Sequence, residues 1–185
     1  MTRTSTIAIV TALLAVKAVQ SRMFDLTGAV TPAGVKVDLT RYQGLWYEIT
    51  SIPQPYLGDC VCSTAQYTLE GGKVKVTNTC ANQQYKKRAT NGYAVSKNAQ
   101  NTKLEVFFYG QGAPYWILAI GNTQNYDHVL VGEPSRKSLY ILSRRPEIVP
   151  ATYNKLIAIA KAQGFDTSKL VGDQIKYCLK KTESF

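Results

Sequence analysis

From Gly44 onward the chain is divided, at roughly 8–12-residue intervals, into eight short segments of strand character, and this spacing limits the fold more than any other feature. The best-defined pair is a hairpin. Lys73-Val74-Lys75-Val76-Thr77 alternates polar and apolar residues, and Glu70-Gly71-Gly72-Lys73 before it holds the adjacent glycines that a tight turn with positive φ favours. With Glu70 opposite Lys73, Leu69 faces Val74 and Tyr67 faces Val76, so one apolar face runs across both strands. Further strands are expected at Gly44 to Ile52, Cys62 to Leu69, Lys87 to Ser96, Lys103 to Tyr109, Pro114 to Gly121, Tyr126 to Gly132 and Ser138 to Arg144. The breaks between them carry Gly, Pro, Asn and Ser, as in Pro53-Gln54-Pro55, Gly110-Gln111-Gly112 and Glu133-Pro134-Ser135. Hairpin connections throughout make the class all-β and antiparallel, either a sandwich or a closed barrel.

The pattern changes once, after Pro146. Leu156, Ile157, Ile159 and Ala160 form one apolar stripe, which predicts a helix over about residues 150–163 that starts near Pro150, stops at Gly164 and covers the outside of the sheet. At 185 residues and 45% hydrophobic content the chain suits one domain, taken as residues 38–185 with the C-terminal tail. Residues 19–37 read as an extended leader. Residues 1–18, with Arg3, an apolar run from Ile7 to Val16 and small residues at Val16 and Ala18, read as a signal peptide, so the mature chain is expected to be secreted or otherwise extracytoplasmic.

The formal charge is +10, yet only Lys86-Lys87-Arg88, Arg144-Arg145 and Lys180-Lys181 cluster, too sparse a pattern for a nucleic-acid surface; attraction to an anionic membrane surface is the better fit. Phosphate-binding glycine loops, nucleophile elbows and helix-borne His-Glu-His arrangements are absent. The single histidine, His128, reads as a satisfied core or rim residue, and would have to serve any Ser-His-Asp relay alone. Cys60, Cys62, Cys80 and Cys178 lack the paired spacings of a zinc site; after a secretory signal, four cysteines suggest two disulfides.

Three stretches together resemble the lipocalin family, in its apolipoprotein D-like and bacterial branch. They are Asp38-Leu39-Thr40-Arg41-Tyr42-Gln43-Gly44-Leu45-Trp46-Tyr47-Glu48-Ile49, then Asn125-Tyr126-Asp127-His128-Val129-Leu130-Val131-Gly132, and then Leu139-Tyr140-Ile141-Leu142-Ser143-Arg144-Arg145-Pro146. The second departs from the family's Thr-Asp-Tyr form, with Gln124-Asn125-Tyr126 in its place. The resemblance spans about residues 36 to 170 and implies an eight-stranded antiparallel up-and-down barrel with the helix packed outside. It implies that Arg144 packs across Trp46 at the closed end, beside a bend at Gly44. It also implies a Cys62–Cys178 disulfide, which leaves Cys60 with Cys80. The hairpin register agrees in part, since it sets Ser63 rather than Cys62 across from Cys80, and a Cys62–Cys80 rung would need a bulge.

Twelve Tyr, five Phe and two Trp suit a barrel interior that is mostly apolar with a few polar handles. With Arg144 inward, alternation brings Leu142 and Tyr140 inward as well, and keeping Glu105 in water sends Leu104, Val106 and Phe108 inside. Tyr67 and Val76 join them from the hairpin. The sixth and seventh strands are apolar on both faces, and Trp116 is placed inward there. The expected function is transport of a small hydrophobic ligand, such as a fatty acid, lysolipid, retinoid, carotenoid or tetrapyrrole, with no cofactor required beyond a bound lipid or pigment. An enzyme acting on a lipid-like or xanthophyll substrate in the same barrel is the alternative.

Overall fold

The computed structural model describes residue 30 and residues 33–172, except 83, 85, 122 and 123. The expected signal peptide, most of the leader, and the tail with Cys178 lie outside these residues. Eight strands, β1 (Gly44–Ser51), β2 (Val61–Glu70), β3 (Lys73–Ala81), β4 (Lys87–Ser96), β5 (Lys103–Phe108), β6 (Gln111–Ile120), β7 (His128–Gly132) and β8 (Leu139–Ser143), pair antiparallel in chain order. β1 also pairs with β8, so the sheet closes into a barrel rather than a sandwich.

The β2–β3 hairpin has the expected register, with Glu70 opposite Lys73, Leu69 opposite Val74 and Tyr67 opposite Val76. Gly71 and Gly72 both take positive φ in the turn between them. β3 runs on past Thr77 because Asn78, Thr79 and Cys80 keep pairing with Thr90, Ala89 and Arg88, although their side chains no longer alternate in polarity. β6 starts at Gln111 rather than Pro114, since Gly112 and Ala113 pair with Phe107 and Val106 and narrow the turn to Tyr109-Gly110. β7 starts at His128 because Tyr126, at φ 45°, has left the sheet.

The register shifts between Glu48 and Thr50 in β1, between Val61 and Thr64 in β2, and between Ile117 and Ala119 in β6. Each bulge resets which side chains face inward. Two apolar clusters result. One fills the barrel, with Trp46, Tyr67, Val76, Leu104, Val129 and Leu142 among its buried members. The other lies between the outer wall and the helix α2 (Pro150–Ala162), where Leu156 and Ala160 pack against Ile49, Leu118, Leu130 and Ile141. Pro150 opens α2 and Gly164, at φ 79°, ends it; the Phe165 amide reaches back to the Ala160 carbonyl at 3.1 Å, a Schellman closure. Phe165 then folds under the wall, so close to Gly132 that a Cβ there would lie 2.6 Å from its ring.

Candidate functional site

One end of the barrel is sealed. Asp38 accepts from the Thr40 amide at 2.9 Å and starts a single helical turn, α1 (Leu39–Tyr42), which crosses the opening below β1. Trp46, fully buried, donates its indole N–H to the Tyr42 carbonyl at 2.9 Å. The Arg144 guanidinium lies 3.9 Å from the Trp46 ring centre and donates to the carbonyls of Leu45 (3.0 Å), Arg41 (2.8 Å) and Tyr126 (3.3 Å). Gly44 makes room for it: its φ is +96°, and a Cβ there would stand 3.2 Å from Arg144 Nη1. Tyr126 leaves β7 to serve this end, giving its carbonyl to Arg144 and accepting the Asp38 amide on its hydroxyl at 3.0 Å. Thus the departure at Gln124-Asn125-Tyr126 preserves a connection to the seal.

Above the seal, three tyrosines meet. The hydroxyls of Tyr42 and Tyr115 are 2.7 Å apart, and those of Tyr67 and Tyr115 are 3.1 Å apart. Burial pushes all three hydroxyls well above their usual titration range, so each is a neutral donor and acceptor. With Val74, Val76, Ala94, Leu104 and Val106 they leave a residual cavity of about 10 Å³, roughly the room of one water. The sealed half is therefore filled by side chains.

Toward the other end of the barrel stand Phe108 and Tyr140. Phe108 lies across Gly92, where a Cβ would come within 2.7 Å of its ring, and Tyr140 reaches toward Tyr56 of the β1–β2 loop with hydroxyls 3.4 Å apart. Alternation from Trp46 turns Glu48 inward opposite Leu142, and the β1 bulge brings Ser51 to the same face opposite Tyr140. Ser51 donates to Glu48 Oε1 at 2.6 Å, and burial raises the Glu48 carboxyl above the usual carboxylate range, partly offset by that bond.

Of the side chains expected to line the interior, Tyr67, Val76, Leu104 and Leu142 are buried in the inner cluster, with Val106, Phe108 and Tyr140 packed against it. Trp116 is a correction: it lies in the outer cluster, opposite Lys103, whose ammonium stands 4.4 Å from its ring centre. Pairing of Leu104 with Tyr115 fixes the parity, and Tyr115 is the inward ring. Sequence reasoning missed Tyr42, Tyr115 and Glu48. The placement of Glu105 in water, extended across the β5–β6 pair, would have found Tyr115, and alternation from Trp46 would have found Glu48.

Cys60 and Cys80 are bonded, with Cα atoms 5.5 Å apart. Cys62, at φ 54° in the β2 bulge, is also disulfide-bonded, and no described cysteine is a free thiol. The expected partner Cys178 lies outside the described residues. His128 points away from the interior and sits 2.9 Å from Asp127 Oδ1, its ring filling the space beside Gly121. A larger concavity of about 610 Å³ lies outside the seal, over Lys36, Asp38, Thr40, Arg41 and Asn101. It is a broad surface depression whose Asp38 is already engaged by Thr40 and Arg41, so the barrel interior is the better candidate site.

A closed antiparallel barrel, sealed by Trp46 and Arg144 and lined inside by apolar and hydroxyl-bearing side chains, defines the calyx class of β-barrels. A model described as a lipocalin-like domain matches residues 37–174. Temperature-induced lipocalin-1 of Arabidopsis thaliana is 36% identical over 147 residues, covering 72% of this chain and 77% of that protein. Apolipoprotein D of Mus musculus is 32% identical over 151 residues, covering 75% and 77%. Among solved structures, insecticyanin from Manduca sexta superposes with a TM-score of 0.62 at 22% identity, covering 77% of this chain and 82% of that one. The chain belongs to the lipocalin family, which binds small hydrophobic ligands.

Proposed function

We propose that this protein is an extracytoplasmic carrier that holds one small hydrophobic molecule in the upper half of its barrel, above the tyrosine cluster. The observation that carries this reading is the interior itself, a wall of apolar side chains with hydroxyls from Tyr67, Tyr115 and Tyr140 as polar handles, sealed at one end by Arg144 on Trp46. Ligand contacts above the cluster are assigned to Phe108, Tyr140 and Leu142, with Tyr67, Val76, Leu104 and Val106 as the floor on which the ligand rests. Loading displaces Phe108 and Tyr140, because a ligand of that class fills on the order of 300 Å³ or more. Fatty acids, lysolipids, retinoids, carotenoids and tetrapyrroles are the candidate classes.

The mouth loops support exchange with an anionic membrane. Tyr56 and Tyr109, 76% and 88% exposed, rim the opening beside exposed Lys86 and Lys87, a pairing of amphipathic rings and positive charge suited to a lipid headgroup layer. Titration of delipidated protein with a ligand panel, followed by quenching of its aromatic fluorescence, is the test. Phe108→Asp is expected to abolish or strongly weaken binding, since an unpaired carboxylate in the pocket costs several kcal/mol, on the order of the penalties for buried unpaired charge. Failure of every ligand to bind wild type would overturn the carrier reading. Turnover of a bound ligand by purified protein would replace it with an enzyme.

A further inference from the structure

Within the barrel, one acidic side chain stands without a base. Glu48 is turned inward by the alternation of β1, the bulge at Ile49 brings Ser51 to the same face, and among the described residues no lysine or arginine bonds to Glu48. Arg144 and Arg88 are committed elsewhere: Arg144 is held by three carbonyls at the seal, and Arg88 at the rim is bonded to Asp59 at 2.6 Å. Only one Glu48 oxygen is engaged, by the Ser51 hydroxyl; the second has no hydrogen-bond partner among the described residues and is not closed off from solvent. The groups that face Glu48 from the other walls are hydroxyls, Tyr67 of β2 and Tyr140 of β8.

We propose that Glu48 sets the ligand class, accepting an amphiphile whose polar end donates a hydrogen bond, an alcohol or an amine, and rejecting free carboxylates and other anionic heads. This rests on the carrier reading above and narrows it. An alcohol or ammonium supplies the missing donor to the open Glu48 oxygen while its chain lies along Leu142 and Phe108. An anionic head brings a second negative charge beside the first, in a low-dielectric wall with no cation to share, where like charges repel far more strongly than in water.

The test uses delipidated full-length protein, a long-chain alcohol, and the alkyl sulfonate of the same chain length, which stays anionic at every working pH. At about pH 8 wild type is expected to bind the alcohol at least about tenfold more tightly than the sulfonate. In Glu48→Gln, which keeps an acceptor for Ser51, the gap is expected to shrink to within about threefold by a gain in sulfonate affinity. The pH profile gives a second readout that does not depend on the variant folding. Sulfonate affinity of wild type rises as the pH falls and the Glu48 carboxyl, raised by burial, takes up its proton, while burial keeps the hydroxyls of Tyr67, Tyr115 and Tyr140 neutral throughout. Sulfonate binding as tight as alcohol binding at pH 8, or a preference that survives Glu48→Gln, overturns the assignment. If neither amphiphile binds while another apolar ligand does, the carrier reading stands and this proposal falls; if nothing apolar binds, both fall.

Discussion

Arg144 stacks on Trp46 at 3.9 Å and ties together three stretches of backbone that are distant in sequence, at Arg41, Leu45 and Tyr126. Arg144→Ala removes the stack and leaves three carbonyls short of a donor. A loss of about 1–2 kcal/mol is expected in chemical denaturation, with ligand affinity nearly unchanged because the seal lies below the site. Arg144→Lys is expected to recover only part of it, since one ammonium cannot span the fork. A wild-type melting temperature for Arg144→Ala would contradict the structural role.

Tyr115 links the other two tyrosines at the floor of the barrel. Tyr115→Phe keeps the ring and removes the hydroxyl shared by Tyr42 and Tyr67, leaving two buried hydroxyls to find new partners. The expected cost is about 1–3 kcal/mol by denaturant titration, and a loss below the error of that measurement would show that water replaces the link.

Stability should also respond to Glu48 in a defined pH window. Its carboxyl titrates above the unfolded value of 4.5 because burial disfavours the charge, so protonation favours the folded state. The contribution is fully present below the unfolded pKa and is lost as pH rises through the folded one. Glu48→Gln, neutral throughout, is therefore expected to melt higher than wild type at neutral pH and to converge with it in acid. A variant less stable than wild type at neutral pH would mean that the carboxylate has a favourable partner.

The remaining prediction concerns covalent linkage. Cys62 is bonded, and its proposed partner is Cys178. A bridge between them closes a loop of more than a hundred residues, a restraint on the unfolded chain of roughly 4–5 kcal/mol in the entropic model. Non-reducing peptide mapping should recover Cys60 with Cys80 and Cys62 with Cys178. Recovery of Cys60 with Cys178, or of a free thiol at Cys178, overturns this pairing.

The strands were legible where one face is polar. Lys73, Lys75 and Thr77 mark the outside of β3, and the β2–β3 register followed from two glycines. β6 was not legible because Tyr115, Trp116, Ile117 and Leu118 are apolar in succession, and both the inner and the outer cluster draw on them. Alternation has nothing to read in such a run, and the bulge at Leu118 breaks it further. Closure of β1 on β8 was beyond any local pattern, since nothing near Glu48 in sequence indicates Leu142; it came from the resemblance. Glu48 itself was hidden by its charge, which ordinarily marks a solvated position.

Closure of β1 on β8 has a further consequence for the association of one copy of the chain with another. Every strand in the finished barrel has a neighbour on both sides, so no free edge is left to recruit a second molecule into an intermolecular sheet. That protection arrives late. The β1–β8 contact joins the two ends of the strand sequence, and contacts so far apart along the chain form slowly. Until β8 docks, both edges are open, and the exposure of the protein to aggregation is set by that one closing step.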